Sequence, residues 1–489
     1  MKQTYVIILL ILIPFMLQPL FADELDDLGA LADESTTAPS ESLSDPASQA
    51  PSQSQAPGSS GLSFNIGGYL KAMGYWNEER YSDELWNNYY ANYAAMGYDT
   101  PAEQKINGYN YIGTRLQLKI EAFMGDKARM FSAFNVGFNA AGSIHDPSSD
   151  ASDSEAGDIR LVESYVEIYQ GSTTWKAGAQ LVTWGYMEGF EVPTDRVNAR
   201  DYTYKSTEYE DSKLASTGVQ LTQRFWDSYL DILFIPIART NKGMEFREYF
   251  YPEADEPYED KPNNGKWATR FSSTLGNLDF ALSYVEGLDP EPDLVPSSVV
   301  ATGIDPDTGE PVYTVMPTGK QYHRVQSPGM DLQYNFGDFL AKASYVRYMT
   351  EDEEGDDLFI KNHWSKYVIG TEFTLFDNTV NLYAGQHIIE DFQDDALSMQ
   401  TNFLLGQLRE RTDFVSGHIN ASFLTGDALN LVLLAAGYWD EDGESVQTNA
   451  KATITYKVAN GVEVIFSPSY TDLLDNVLVD YQFEVKYSF

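Results

Sequence analysis

The most constraining feature of the sequence is a regular alternation between tight turns and long polar connections. From Ser63 onward, short runs of alternating apolar and polar residues are separated by a Gly, Asp or Asn turn at every second junction. The tight junctions are MGDKA after Phe123, QGSTT after Tyr169, FWDSY from Phe225, LGNLD from Leu275, FGDFL from Phe336, FDNTV from Phe376, TGDAL from Thr425 and ANGV from Ala459. The other junctions are mostly long, as at 188–215 and 288–322, with shorter ones near 441 and 473. The runs predict about eighteen strands, and an even number is typical of bacterial single-chain membrane barrels.

The two faces of each predicted strand differ in chemistry. Within 115–122, Leu116, Leu118 and Ile120 alternate with Arg115, Lys119 and Glu121, so one face suits lipid and the other suits water. A soluble sandwich has no reason to keep its long loops at one end. Residues 62–489 are therefore predicted to be all-β, a transmembrane up-and-down antiparallel β-barrel with long external loops and short periplasmic turns.

The first 61 residues differ from the rest of the chain. Residues 1–22 combine Lys2, an apolar run and a small residue, Ala22, before an acidic stretch, which predicts a cleaved secretory signal peptide. Residues 23–61 are rich in Ser, Pro and Gln without an apolar period, and we interpret them as a disordered periplasmic tether. No later stretch has the roughly 20 consecutive apolar residues of a membrane helix, so spanning would need strands.

Composition excludes several classes of function. The chain has no cysteine, which excludes disulfides, thiolate metal sites and cysteine redox chemistry. The formal net charge of -41 disfavours nucleic acid as a partner. No spaced coordination loop for a hard cation is visible, so we expect neither a metal nor a cofactor.

One segment resembles a pattern found in porin-like outer-membrane β-barrel families of diderm bacteria. That pattern is a G-x-Q-x-x-x-W-G strand followed by an N-x-R-D loop, here Gly178, Gln180, Trp184 and Gly185, then Asn198, Arg200 and Asp201. Ala179 and Ala199 depart from the family's usual basic residue and proline. The terminal Phe489 resembles the signal read by the barrel-assembly machinery. The resemblance implies an outer-membrane channel, with outer-membrane lipid and lipopolysaccharide as surroundings.

The connection from Met187 to Ser216 is the predicted constriction. We expect it to fold inward and, with the inward wall, to set selectivity through charged side chains, although an outward, solvated loop is the alternative. The predicted lining residues are Lys176, Gln180, Trp184, Asn198, Arg200, Asp201 and Tyr202, with Arg115, Lys119 and Glu121 on the wall. Most charges on the wall are expected to pair across strands.

A catalytic role is not expected. Ser416, His418 and Asn420 share one predicted face near His387, but that face is the watery inside of the barrel, where a lipase trio would not meet lipid. A zinc site lacks a third convergent ligand.

The predicted function is therefore that of a porin or channel for passive diffusion of small hydrophilic solutes across the outer membrane. The alternatives are a barrel selective for a polysaccharide, an aromatic acid or a carboxylic acid, and an adhesion or structural barrel with a plugged lumen. The sequence leaves monomer and homo-oligomer open.

Overall fold

The computed structural model describes most of the region predicted to form the barrel. The described residues are 62–80, 105–139, 157–187, 192–201, 212–242, 264–295, 298–304, 311–316, 319–376, 378–395, 398, 401–402, 405–407, 409–424, 428–473 and 476–489. The predicted signal peptide and tether lie outside these residues, as does Tyr202.

Eighteen strands of the described residues form one closed sheet. They are β1 (Leu62–Arg80), β2 (Lys105–Met124), β3 (Ala128–Asn139), β4 (Gly157–Gln170), β5 (Thr173–Gln180), β6 (Ser216–Phe225), β7 (Ser228–Ile235), β8 (Lys266–Leu275), β9 (Leu278–Leu288), β14 (Arg324–Asn335), β15 (Phe339–Tyr348), β16 (Trp364–Leu375), β17 (Asn378–Ile389), β18 (Arg411–Phe423), β19 (Leu429–Trp439), β20 (Ser445–Ala459), β21 (Val462–Leu473) and β22 (Asn476–Ser488). Four short strands, β10 (Asp293–Val295), β11 (Ser298–Ile304), β12 (Pro311–Met316) and β13 (Gly319–Gln321), lie in the connection between β9 and β14.

The strands follow one another around the barrel in chain order. Each barrel strand pairs antiparallel with its neighbours in sequence, β9 pairs with β14 across the short strands, and β22 returns to pair with β1. The closing ladder runs from Tyr69 opposite Ser488 to Arg80 opposite Val477. The predicted up-and-down barrel of about eighteen strands is confirmed.

Tight turns close the hairpins at the end of the barrel where β22 ends. Gly125 and Gly171 take left-handed backbone conformations, with φ of 58° and 65°, which glycine adopts without steric cost. The turn after β6 instead places Trp226 at a φ of 50° and the turn after β16 places Phe376 at 50°. The long connections lie at the opposite end.

The apolar and polar side chains of the barrel strands lie on opposite faces of the sheet, as the alternation in the sequence predicts. Leu116 and Ile120 lie on the outward face of β2, whereas Arg115 and Gln117 lie inward and are only 4 % exposed. Large apolar side chains are exposed on the outside all around the barrel, and Ile159 reaches 78 % exposure. The outer surface is thus an apolar belt.

The seam between β1 and β22 carries a buried ion pair on its inward side. Lys71 Nζ lies 3.2 Å from Glu484 Oε2, and both side chains are fully buried. The Tyr75 hydroxyl donates a 2.7 Å hydrogen bond to Glu484 Oε1. A buried pair of this kind disfavours any register that would separate its two charges.

The described part of the chain contains no helix long and apolar enough to cross a membrane.

Candidate functional site

The chain leaves the wall after Gln180 and turns into the barrel. The sequence pattern extends the fifth strand to Trp184, but β5 ends at Gln180, and Leu181–Met187 has no regular structure. We call the described residues 181–187, 192–201 and 212–215 the inward segment, because their contacts lie with inward side chains of the wall.

An apolar cluster attaches the inward segment to one side of the wall. Val182, Trp184 and Val197 pack against Leu233, Ile235, Ala268 and Val285, which are inward residues of β7, β8 and β9. Trp184 is only 3 % exposed. This burial fixes the segment to the wall as a hydrophobic core fixes a loop in a soluble protein.

Other contacts reach the far side of the wall. Met187 packs with inward residues of β16, β17 and β18, namely Val368, Tyr383 and Phe414. On β14, which pairs with β9 beside the apolar cluster, Asp331 accepts from the Thr194 hydroxyl, which lies 2.9 Å from its Oδ2 and 3.0 Å from its Oδ1. The inward segment therefore spans the inside of the barrel.

Asn198 organises the two ends of the inward segment. Its side-chain oxygen accepts a 2.7 Å hydrogen bond from the Val182 amide, and its Nδ2 donates to the main-chain oxygens of Gln180 and Leu214 at 3.2 and 2.9 Å. The start and the end of the connection are thus held together by one buried amide.

A charge network holds the second half of the segment. Asp195 Oδ2 lies 3.0 Å from Arg200 Nη2 and 2.7 Å from Lys213 Nζ. Arg160 Nη1 on β4 lies 3.6 Å from Asp201 Oδ2, and its Nη2 donates to the main-chain oxygen of Lys213 at 2.7 Å. The three motif residues Asn198, Arg200 and Asp201 therefore take part in positioning the segment.

A cavity of about 250 Å³ lies between the inward segment and the wall at the long-loop end. Residues of β8, β9 and β14–β17 form the wall side. The charged lining consists of Asp195, Arg196, Arg200, Lys266, Asp289, Glu291, Lys361 and Lys366. Cations therefore outnumber carboxylates around this cavity.

An aromatic stack positions Arg196 in the cavity. The rings of Tyr348 and Trp364 stack with centroids 4.7 Å apart and planes at 14°. The Arg196 guanidinium lies over Trp364 at 4.7 Å, an arrangement that cation–π attraction favours. His387 meets Trp364 edge-on at 4.9 Å and also lines the cavity.

An ion network forms the outer side of the cavity. Lys361 Nζ lies 3.1, 3.8 and 3.5 Å from carboxylate oxygens of Asp289, Glu291 and Asp293. His323 Nδ1 lies 2.8 Å from Asp293 Oδ2. Burial alone would lower the pKa of His323, but the hydrogen bond and the charge of Asp293 outweigh it and raise that pKa above its ordinary 6.5.

The predicted wall residues lie on the inward face away from this cavity. Lys176 lies over the Tyr165 ring at 3.8 Å. Arg129 on β3 pairs with Glu121 and lies 3.4 Å from Glu167. Lys119 is exposed on the same face. Arg115 is buried. Pairing across strands is thus present on this wall.

No group of three or more acidic or histidine side chains in the described residues is arranged to hold a metal ion. Ser416 and His418 lie on the inward face of β18, opposite Tyr383 and Asn381.

Several residues of the cavity were not predicted from the sequence, among them Arg196, Lys266, Trp364 and His387. The alternation of the strands places Lys266 and His387 inward, but no local pattern brings them near residue 196. Only the path of the inward segment joins them.

Comparison with known proteins shows a likeness of fold. No protein-family model matches the chain, and no curated protein matches its sequence. OccAB4 from Acinetobacter baumannii superposes with a TM-score of 0.50 at 10 % identity, over 87 % of this chain and 98 % of that one.

Two further structures superpose to a similar extent. A BenF-like porin from Pseudomonas fluorescens Pf-5 gives a TM-score of 0.51 at 8 % identity, and Pseudomonas aeruginosa OpdK, solved with vanillate, gives 0.50 at 8 %. Both cover 87 % of this chain and 98 % of their own. The chain is thus similar in fold to these three proteins, one of which is described as a porin.

Proposed function

We propose that the barrel is an outer-membrane channel through which small hydrophilic solutes diffuse passively. The observation that carries the proposal is the closed barrel with an apolar outer belt, a charged inner face and a chain segment crossing its inside. An apolar belt needs a lipid environment, and a narrowing lined by charges selects among solutes. The barrel has no need of a chemical step to act in this way.

The location and the partners follow from the same proposal. Leu62–Ser488 would lie in the outer membrane of a diderm bacterium, with lipid and lipopolysaccharide around the belt. The chain would be exported by its predicted signal peptide and inserted by the barrel-assembly machinery.

A channel selective for small organic carboxylates is a second candidate, favoured by the charges of the cavity. Among the described residues, Arg196 and Lys266 make no ion pair: Arg196 Nε donates to the Pro193 oxygen at 3.0 Å, and Lys266 Nζ donates to the Val197 oxygen at 3.1 Å. Lys266 is only 3 % exposed, and a buried cation without a counter-ion is costly, so an anion in the cavity would stabilise it. The same anion would meet the guanidinium of the partly exposed Arg196, which lines the same cavity.

The apolar part of the lining favours an organic anion over an inorganic one. Val285, Val325 and Leu405 line the same cavity as the cations. A carboxylate with an apolar body would meet both kinds of surface, whereas phosphate would leave the apolar side unused. That OpdK was solved with vanillate agrees with this chemistry.

Planar-bilayer recording tests both candidates. Purified protein should give stepwise conductance in KCl, and added benzoate should reduce the current more strongly than its neutral analogue benzamide. Replacing Arg196 by Gln should weaken the benzoate effect about tenfold, because a hydrogen bond to a charged group is lost.

The matched control is Lys342→Gln. Lys342 is an inward, buried cation that lies 2.7 Å from Glu372 and is therefore already neutralised, so its replacement should leave the benzoate effect unchanged. If the protein conducts but benzoate and benzamide reduce the current equally, the channel proposal stands and the proposed selectivity for carboxylates is contradicted. Absence of any conductance would contradict the channel itself.

A further inference from the structure

The connection between β9 and β14 contains the short strands β10–β13, and we call it the external hairpin. Its base, where it leaves and rejoins the barrel, is anchored by the side chains of Asp293, His323 and Lys361. Asp293 begins the two-stranded sheet of β10 and β13, where it lies opposite Gln321. Its two carboxylate oxygens contact different elements: Oδ2 contacts His323 at 2.8 Å and Oδ1 contacts Lys361 at 3.5 Å. Lys361 belongs to the next external connection, 349–363, so Asp293 joins two long connections.

The negative charge at this base is better compensated when His323 is protonated. Three carboxylates, those of Asp289, Glu291 and Asp293, surround the single ammonium of Lys361. The side chain of Asp293 is only 2 % exposed. A protonated His323 adds a second positive charge at hydrogen-bond distance and reduces the excess of negative charge, whereas a neutral His323 leaves that excess larger.

The same base forms part of the cavity wall. Asp289, Glu291 and Lys361 line the cavity, and the Asp289 amide donates a 2.9 Å hydrogen bond to the main-chain oxygen of His323. Movement of the base therefore changes the shape of the cavity at its outer side.

We propose that His323, Asp293 and Lys361 form a proton-dependent latch that holds the external hairpin against the neighbouring connection and so steadies the outer side of the cavity. The latch is closed when His323 carries its proton. When the proton is lost, the hairpin base loosens and the hairpin moves more freely.

The direction of the pH dependence follows from the raised pKa of His323. A histidine whose pKa is higher in the folded protein stabilises the fold fully below its ordinary value of 6.5, and this contribution is lost as pH rises through the higher, folded value. The charged groups around the latch are Asp293, Lys361, Glu351, Asp357, Arg324, Asp289 and Glu291.

Site-directed spin labelling measures the motion of the hairpin without relying on conduction. The chain has no cysteine, so Ser298→Cys in β11 gives a single attachment point. In lipid vesicles the label should be less mobile at about pH 5 and more mobile at about pH 9, with a one-proton transition above the ordinary histidine pKa. His323→Gln in the labelled protein should remove the transition and leave the label mobile throughout.

His363→Gln is the matched control, because His363 lies in the neighbouring connection and contacts the main-chain oxygen of Thr350 at 3.2 Å. It should keep the transition. If His323→Gln fails to fold, Asp293→Asn serves in its place and should also remove the transition. The proposal would be overturned if the mobility of the label did not change with pH in the protein that carries only Ser298→Cys. It would equally be overturned if the transition survived His323→Gln or Asp293→Asn. Neither result depends on whether the barrel conducts.

Discussion

Gly68 and Phe489 exchange both of their backbone hydrogen bonds, with N–O distances of 3.1 and 3.0 Å. The pair extends the ladder between β1 and β22 by one step beyond Tyr69 and Ser488. On its other side Gly68 approaches β2 so closely that an ideal Cβ would lie 2.0 Å from the main-chain oxygen of Gln117. The last residue of the chain is therefore part of the barrel closure, and it closes on a position that a side chain cannot occupy.

Gly68→Ala should destabilise the barrel. The added carbon would overlap the Gln117 oxygen, and the φ of 152° at Gly68 is one that other residues rarely adopt. We expect a loss of at least about 1–3 kcal/mol of unfolding free energy, measured by denaturant unfolding in lipid vesicles. Gly74→Ala in the same strand is the control, because nothing lies within 4 Å of its Cβ position. Equal stability of the two variants would contradict the close approach.

Deleting Phe489 should lower the yield of assembled barrel far more than Thr453→Ala does. The deletion removes both hydrogen bonds to Gly68 and the terminal aromatic that resembles an assembly signal. Thr453→Ala removes only one hydroxyl contact, to Ser467 at 2.9 Å on the inward face. Heat-modifiable migration of outer-membrane fractions on gels gives the yields, and similar values for both variants would count against a special role of Phe489.

Phe483→Arg should destabilise the barrel more than Gln482→Arg. Phe483 is half exposed on the outer belt, where a charge in lipid costs up to about 2–4 kcal/mol, falling toward zero near the interface. Gln482 is its neighbour on the inward face, opposite Tyr75 and near Glu484. Unfolding in lipid vesicles compares the two. A larger loss at 482 would mean that the outer face of β22 does not meet lipid.

Thr194→Val should raise the conductance of the proposed channel or increase its fluctuations. The change keeps the shape of the side chain but removes its hydrogen bond to Asp331, which contributes about 1.5–3 kcal/mol. The released form of the inward segment should then become at least about tenfold more populated. Thr222→Val is the control, because Thr222 makes the same kind of bond to Asp231 within the wall. Identical single-channel currents in all three proteins would mean that this contact does not set the width.

Local sequence patterns predict the strands of the barrel wall, but they do not predict the path of the chain inside the barrel. Period-two alternation, as in 115–122, depends on local geometry, and turn chemistry at Gly125 or Gly171 is equally local, so strand number and faces could be predicted. The end of β5 at Gln180 could not, because Trp184 leaves the strand to pack on Leu233 and Ile235, which are distant in sequence.

The candidate site depends more than the wall does on contacts between residues that are distant in sequence. Asn198 and Arg200 were found through the motif, although the structure gives them positioning contacts. Arg196 meets Trp364 only because the inward segment crosses the barrel, and no spacing in the sequence encodes that crossing.

The apolar cluster of Trp184 with Leu233, Ile235 and Val285 makes the inside of the barrel unequal. Because the cluster is buried like the interior of a globular protein, truncation of Trp184 or Leu233 should lower the folding yield. Val285 belongs both to this cluster and to the lining of the cavity, so the anchor of the segment and the cavity share a wall residue. Transferring the segment to another barrel would therefore require transferring the wall residues on which it packs.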